Sequence, residues 1–358
     1  MDRFAEKANK AARALSASTT EYTNAALIFY QQGLNDKEVE ERTNATIKMA
    51  HAAGENATQV SSYMTAIWNN FDDGSKSLEY YGDVITKLGA ATAASSAEIA
   101  DGLEKFAAIG ETVGLSYEYA TSAVATVVDK TRQSADVVGT AFKTIFSRLQ
   151  GLNLGETLDD GTDLNKYSQA LLAVGINIKD ANGQLKDMDD ILDEMGAKWQ
   201  TLHRDEQMAL AQTVAGVRQY TQLMSLMNNY DAFKGNVFLA ETSGGTLNNQ
   251  AEIYAESWEA AQARVKAASE DFWDTLLNDE FFIDLLGVFE KLIVGVNSFT
   301  DSIGGVPGLI SGIGIIASTV FGQQMAGTFD NLKLDLMTLM GLETQIQQEA
   351  QELTKQML

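Results

Sequence analysis

A single proline, Pro307, stands in a sequence of 358 residues. Proline ends helices because it lacks a backbone N–H and its ring clashes with the preceding turn. A chain so nearly free of it can run from helix to helix with other residues as punctuation. Alanine, leucine, glutamate and glutamine are plentiful and β-rich runs are scarce, which favours helices throughout. The expected fold class is all-α: an elongated multi-helix assembly, with a small β-hairpin near 176–186 and a long helical hairpin near 247–300.

Helix starts are written locally. Asn35 with Glu38, and Ser95 with Glu98, have the capping-box spacing ahead of apolar-periodic runs. Ile99, Leu103, Phe106 and Ile109 share a face, and Gly114 sits where a C-terminal glycine cap belongs. Ser116 is expected to cap a helix carrying Val124, Val127 and Val128. Ala135–Gln150 carries Val138, Phe142, Ile145, Phe146 and Leu149 on one stripe. Residues 151–165 read as a loop. Further helices fall near 188–200, 205–214 and 217–230, and FKGNVFLAETSGGT reads as a linker broken at Gly244–Gly245.

From Leu247 a long helix is expected. Tyr254, Trp258, Ala261, Val265, Ala268 and Phe272 recur by fours and threes, a heptad-like packing seam. Thirty such residues span about 45 Å. Asn278 interrupts, and a return helix 279–300 follows. The seam serves either a hairpin packed on itself or a coiled coil with other copies.

Residues 302–329 carry no charge. About 20 apolar residues suffice to cross a bilayer, and Gly304, Gly308 and Gly312 repeat at the spacing of close helix contacts. Pro307 and the glycines weaken a helix in water. The segment is either a buried, broken helix or one that enters membrane when released, with Ile313, Ile315 and Ile316 beside the glycines as the membrane-active candidates. Leu332, Leu336, Leu339 and Met340 then open an amphipathic helix. The domains expected are 1–90, an N-terminal helical segment; 91–235, a helical core with the hairpin; 246–300; 301–329; and 330–358.

Chemistry is mostly excluded. The chain has no cysteine, so disulfides and thiolate catalysis are out. VGINIKDANGQLKDMDDIL, at 174–192, holds clustered aspartates. An EF-hand loop with Gly183 sixth would place Ile178 first, where a ligand oxygen is needed. A turn fits better: Asp180 opens it, Ala181 and Asn182 form its centre, and Gly183 takes the left-handed position. Asp187 is expected to cap the next helix, with Asp189 and Asp190 in its first turn. His51 and His203 lack metal-ligand spacing. GIGIIA at 312–317 matches a dinucleotide pattern but has no βαβ unit around it. No catalytic, metal or cofactor residue is expected. A net charge of -23 repels phosphate backbones, so specific nucleic-acid binding is not expected.

Three blocks, in order, carry a resemblance. They are SAEIADGLEKFAAIGETVGLSYEYATSAVATVVDKTRQSADVVGTAFKTIFSRLQGL, ALLAVGINIKDANGQLKDMDDILDEMGAKWQTL and DEQMALAQTVAGVRQYTQLMSLMNN. Their order and spacing resemble the core region of tape measure proteins from long, non-contractile-tailed phages and prophages, over roughly residues 20–300. The resemblance implies a non-enzymatic structural ruler that sets tail length, scaffolds the tail tube and is released during genome delivery. Implied partners are other copies of itself, the tail tube protein, tail assembly chaperones, distal tail proteins and the host membrane. Implied locations are the virion tail tube, the host cytoplasm during assembly, and the host envelope at infection. Family chains are usually much longer, and QIQQEAQELTKQML closes with no evident stop, so a fragment or a short member is expected. The alternative readings are a helical pore-former acting through 302–329 and an envelope-degrading hydrolase, for which no motif is found.

Overall fold

A computed structural model describes residues 2–150, 165–180, 182 and 184–277. The helices, in chain order, are α1 (Asp2–Ala14), α2 (Thr19–Gln31), α3 (Asp36–Ala53), α4 (Ala57–Phe71), α5 (Leu78–Ala91), α6 (Ser96–Glu104), α7 (Ala107–Thr112) and α8 (Tyr117–Thr131). They continue as α9 (Ala135–Gln150), α10 (Asn165–Ala173), α11 (Met188–Trp199), α12 (Arg204–Ala215), α13 (Tyr220–Asn228), α14 (Tyr230–Glu241), α15 (Thr246–Ala255) and α16 (Trp258–Leu277). The all-α class holds among the described residues.

The chain forms two compact units. The first, over its described residues 2–36 and 251–277, packs α1 against α2 and α16. Alanines make this contact close: Ala8 and Ala12 of α1, and Ala260, Ala261, Ala267 and Ala268 of α16, are all buried. A polar staple fixes it. Asn9 Nδ2 donates to Thr19 Oγ1 at 2.8 Å and to the Ala267 carbonyl at 2.7 Å. Glu270 accepts from the Thr19 N–H and the Thr20 hydroxyl, each at 2.9 Å, and so caps α2 from another helix.

The second unit, residues 37–250, is built around α8. Ten consecutive residues, Tyr119–Val128, are buried, so this helix is enclosed on all sides, as one without a polar face must be. Its threonines bond back to the helix: Thr121 donates to the Tyr117 carbonyl at 2.6 Å and Thr126 to that of Ser122 at 2.7 Å, whereas the buried Ser122 hydroxyl has no partner among the described residues. α5, α6, α9, α13 and α14 pack around it. Ser95 and Glu98 make the expected capping box, with bonds of 2.8 and 3.1 Å, and Ser116 caps α8 through the Tyr119 N–H.

Four expectations are corrected. There is no β-hairpin at 176–186: a lone bridge joins Lys179 and Leu185. The Asp180 carboxylate accepts the N–H groups of Asn182 at 2.9 Å and Gln184 at 2.8 Å and so fixes the turn, beside two backbone bonds that flank the bridge, from the Asp180 N–H to the Gln184 carbonyl at 2.8 Å and from the Lys186 N–H to the Ile178 carbonyl at 2.9 Å. Ala181 and Gly183 lie outside the described residues. The linker FKGNVFLAE is helix α14, with Phe233, Val237 and Ala240 buried on one stripe. The run from Ile99 to Ile109 is two helices, because Lys105 and Phe106 break it. The long helix from Leu247 breaks at Glu256–Ser257, where the Ser257 hydroxyl accepts the Ala260 N–H at 3.1 Å. The return arm 279–300, and everything beyond it, lies outside the described residues.

Candidate functional site

Three chain turns converge in the second unit: the end of α4, the start of α5 and the start of α8. FDDGS leaves α4 through two side-chain turns, with the Gly74 N–H on Asp72 at 3.0 Å and the Ser75 N–H on Asp73 at 2.9 Å. These turns deliver Tyr80 and Tyr81 to the first turn of α5. Gly114, with φ of +69°, makes the reversal that brings Tyr117 and Glu118 to the first turn of α8.

The result is a tyrosine-walled cleft of about 570 Å³. The Tyr81 and Tyr117 rings meet edge-on, with centroids 4.9 Å apart, and Phe71 lies 5.5 Å from Tyr117. The hydroxyls fix them: Tyr117 donates to the Tyr81 carbonyl at 2.6 Å, and Tyr81 to that of Phe71 at 2.9 Å. Tyr80 donates to the Glu118 carboxylate. Lys76 holds its ammonium 4.8 Å from the centre of the Tyr80 ring. Asp72, Asp73, Glu111 and Glu118 complete the lining. Burial raises all three tyrosine pKa values, so these phenols stay neutral. Asp73 is held below its usual pKa by the Ser75 hydroxyl and N–H. Neutral rings beside acidic side chains suit recognition of a cation.

A second polar cluster joins α8, α11 and α14. Asp193 accepts from Tyr119 at 2.9 Å, from Tyr230 at 2.8 Å and from Lys234 at 3.0 Å. Asp189, also on α11, accepts the Ser116 N–H at 3.0 Å. Burial pushes the Asp189 carboxyl up to about 6, against the lowering effect of the Ser116 bonds. Asp189 and Asp193 therefore link helices. Asp187 stands at the cap position of α11 but makes no side-chain cap bond.

Among the seam residues, Ala261 is buried, and Tyr254 and Val265 are half-buried. The side chains of Trp258 and Phe272 lie outside the described residues, as do Gly304, Gly308, Gly312, Ile313, Ile315 and Ile316. Among the described residues no helix is long and apolar enough to cross a membrane, and no three His, Asp or Glu side chains group as metal ligands. The cleft was not read from sequence. Phe71, Tyr80–Tyr81 and Tyr117 lie on separate helices, and only the adjacent aromatics after DDG hint at it.

A family model described as phage-related minor tail protein matches residues 7–216, more than half of the chain and the whole of the cleft. No solved structure matches.

Proposed function

The chain belongs to the phage-related minor tail protein family, and on that premise we propose that it is a tape measure. A structural role in a phage tail follows from the family; control of tail length is the finer step. The observation that supports it is the ordered set of helical blocks from Ser96 to Asn229, which lies largely inside the family match and resembles tape measure cores. Helical rise makes length proportional to residue count at about 1.5 Å per residue. Copies of the chain line the growing tube, with tube protein, assembly chaperones and distal tail proteins as partners, and without enzymatic activity. The acidic surface leaves the passing genome unbound.

On ejection the chain leaves the tube, and residues 302–329 enter the host envelope. Mass spectrometry of purified tails tests the placement: the chain is present in intact tails and depleted after ejection. Its absence from intact tails overturns the reading. Liposome leakage tests the segment: leakage caused by 302–329 disappears with Ile315→Asp and Ile316→Asp together. Equal leakage from both forms removes the envelope step.

A further inference from the structure

We propose that the tyrosine-walled cleft between α4, α5 and α8 is a docking site for a lysine or arginine side chain of a protein partner. The observation that points to a cation is Lys76. Its ammonium lies 4.8 Å over the Tyr80 ring, so a ring face lining the cleft is already engaged by the chemistry it would recognise. A tyrosine face attracts ammonium and guanidinium through its quadrupole, more strongly where water is excluded.

The cleft is shaped for such an arrival. Tyr80 is half-buried and Lys76 is exposed, so the ring is anchored while its cover is free to swing away. Tyr80 is also held in place from its far end by the bond from its hydroxyl to Glu118. The lining has four carboxylates and one lysine, so charge complementarity selects a basic partner. The cavity, at about 570 Å³, has room for one long side chain and part of its backbone. Lys76 thus acts as an internal competitor that a partner's side chain displaces. This docking does not depend on length control.

The test is calorimetric titration of the full chain with a tetra-lysine peptide at low and physiological salt. Lys76→Ala tightens binding about threefold or more, because the competitor is gone. Lys37→Ala removes the same charge from an exposed helix face and has no comparable effect. Tyr80→Leu weakens binding about fivefold, whereas Tyr80→Phe, which keeps the ring, retains most of it. The Lys76 variant keeps the result interpretable if Tyr80→Leu fails to fold. Equal tightening by Lys76→Ala and Lys37→Ala means general charge attraction and overturns the proposal. So does binding that Tyr80→Leu leaves unchanged, or no binding by any form.

Discussion

The backbone of Gly139 on α9 rests directly against the carbonyl of Gly102 on α6. A Cβ on Gly139 would stand 3.0 Å from the Gly102 carbonyl carbon and closer still to its oxygen. Both obstacles are backbone and cannot rotate away. Gly139→Ala therefore forces α6 and α9 apart and is expected to cost about 1–3 kcal/mol or more, although alanine is the better helix former. Urea denaturation checks this; a stabilised variant would show that the two helices separate freely.

Asp83 is a buried carboxylate that accepts two backbone N–H groups, from Gly245 at 2.9 Å and Leu247 at 2.7 Å. It caps α15 from α5. Asparagine offers one oxygen for two donors and turns an amide toward the other. Asp83→Asn is expected to lower stability by about 1.5–3 kcal/mol and to speed amide exchange at 243–248. Unchanged exchange there would deny the cap its role.

Asp189 makes stability depend on pH. With its folded pKa near 6 and an unfolded value near 3.9, the folded state binds a proton that the unfolded chain releases. Its contribution is thus lost as pH rises from about 4 to about 6. Asp189→Asn keeps an acceptor for the Ser116 N–H and removes the half-buried charge. The variant is expected to be more stable than the parent at pH 8 by about 1–2 kcal/mol, with the gain vanishing near pH 4. Melting curves at both pH values decide it; a gain that does not change with pH would trace to packing.

Features written in neighbouring residues were legible in the sequence. Ser95 and Glu98 announce α6 because their bonds span three residues. The stripe from Val138 to Phe146 announces α9 because one face is buried there. Choices settled across the fold were not. GINIKDANGQL alternates like a strand, but the Asp180 carboxylate captures the turn and only one bridge forms. FKGNVFLAE carries two poor helix formers, Gly235 and Asn236, and is helical because Phe233 and Val237 find a core against α5 and α8. α10 has no cap or long periodic run to announce it, and its inward face is carried by Tyr167 and Leu171, one turn apart and both buried. The tyrosine cleft depends on Tyr81 meeting Tyr117, 36 residues away, and no local pattern encodes that meeting.

Tail length in electron micrographs tests the central claim most directly. Eight helical heptads, about 56 residues, are inserted at the existing helix break between Glu256 and Ser257. At 1.5 Å per residue the tail lengthens by about 84 Å, and half the insert gives half the increase. Normally assembled tails of unchanged length, carrying the longer protein, would contradict the ruler.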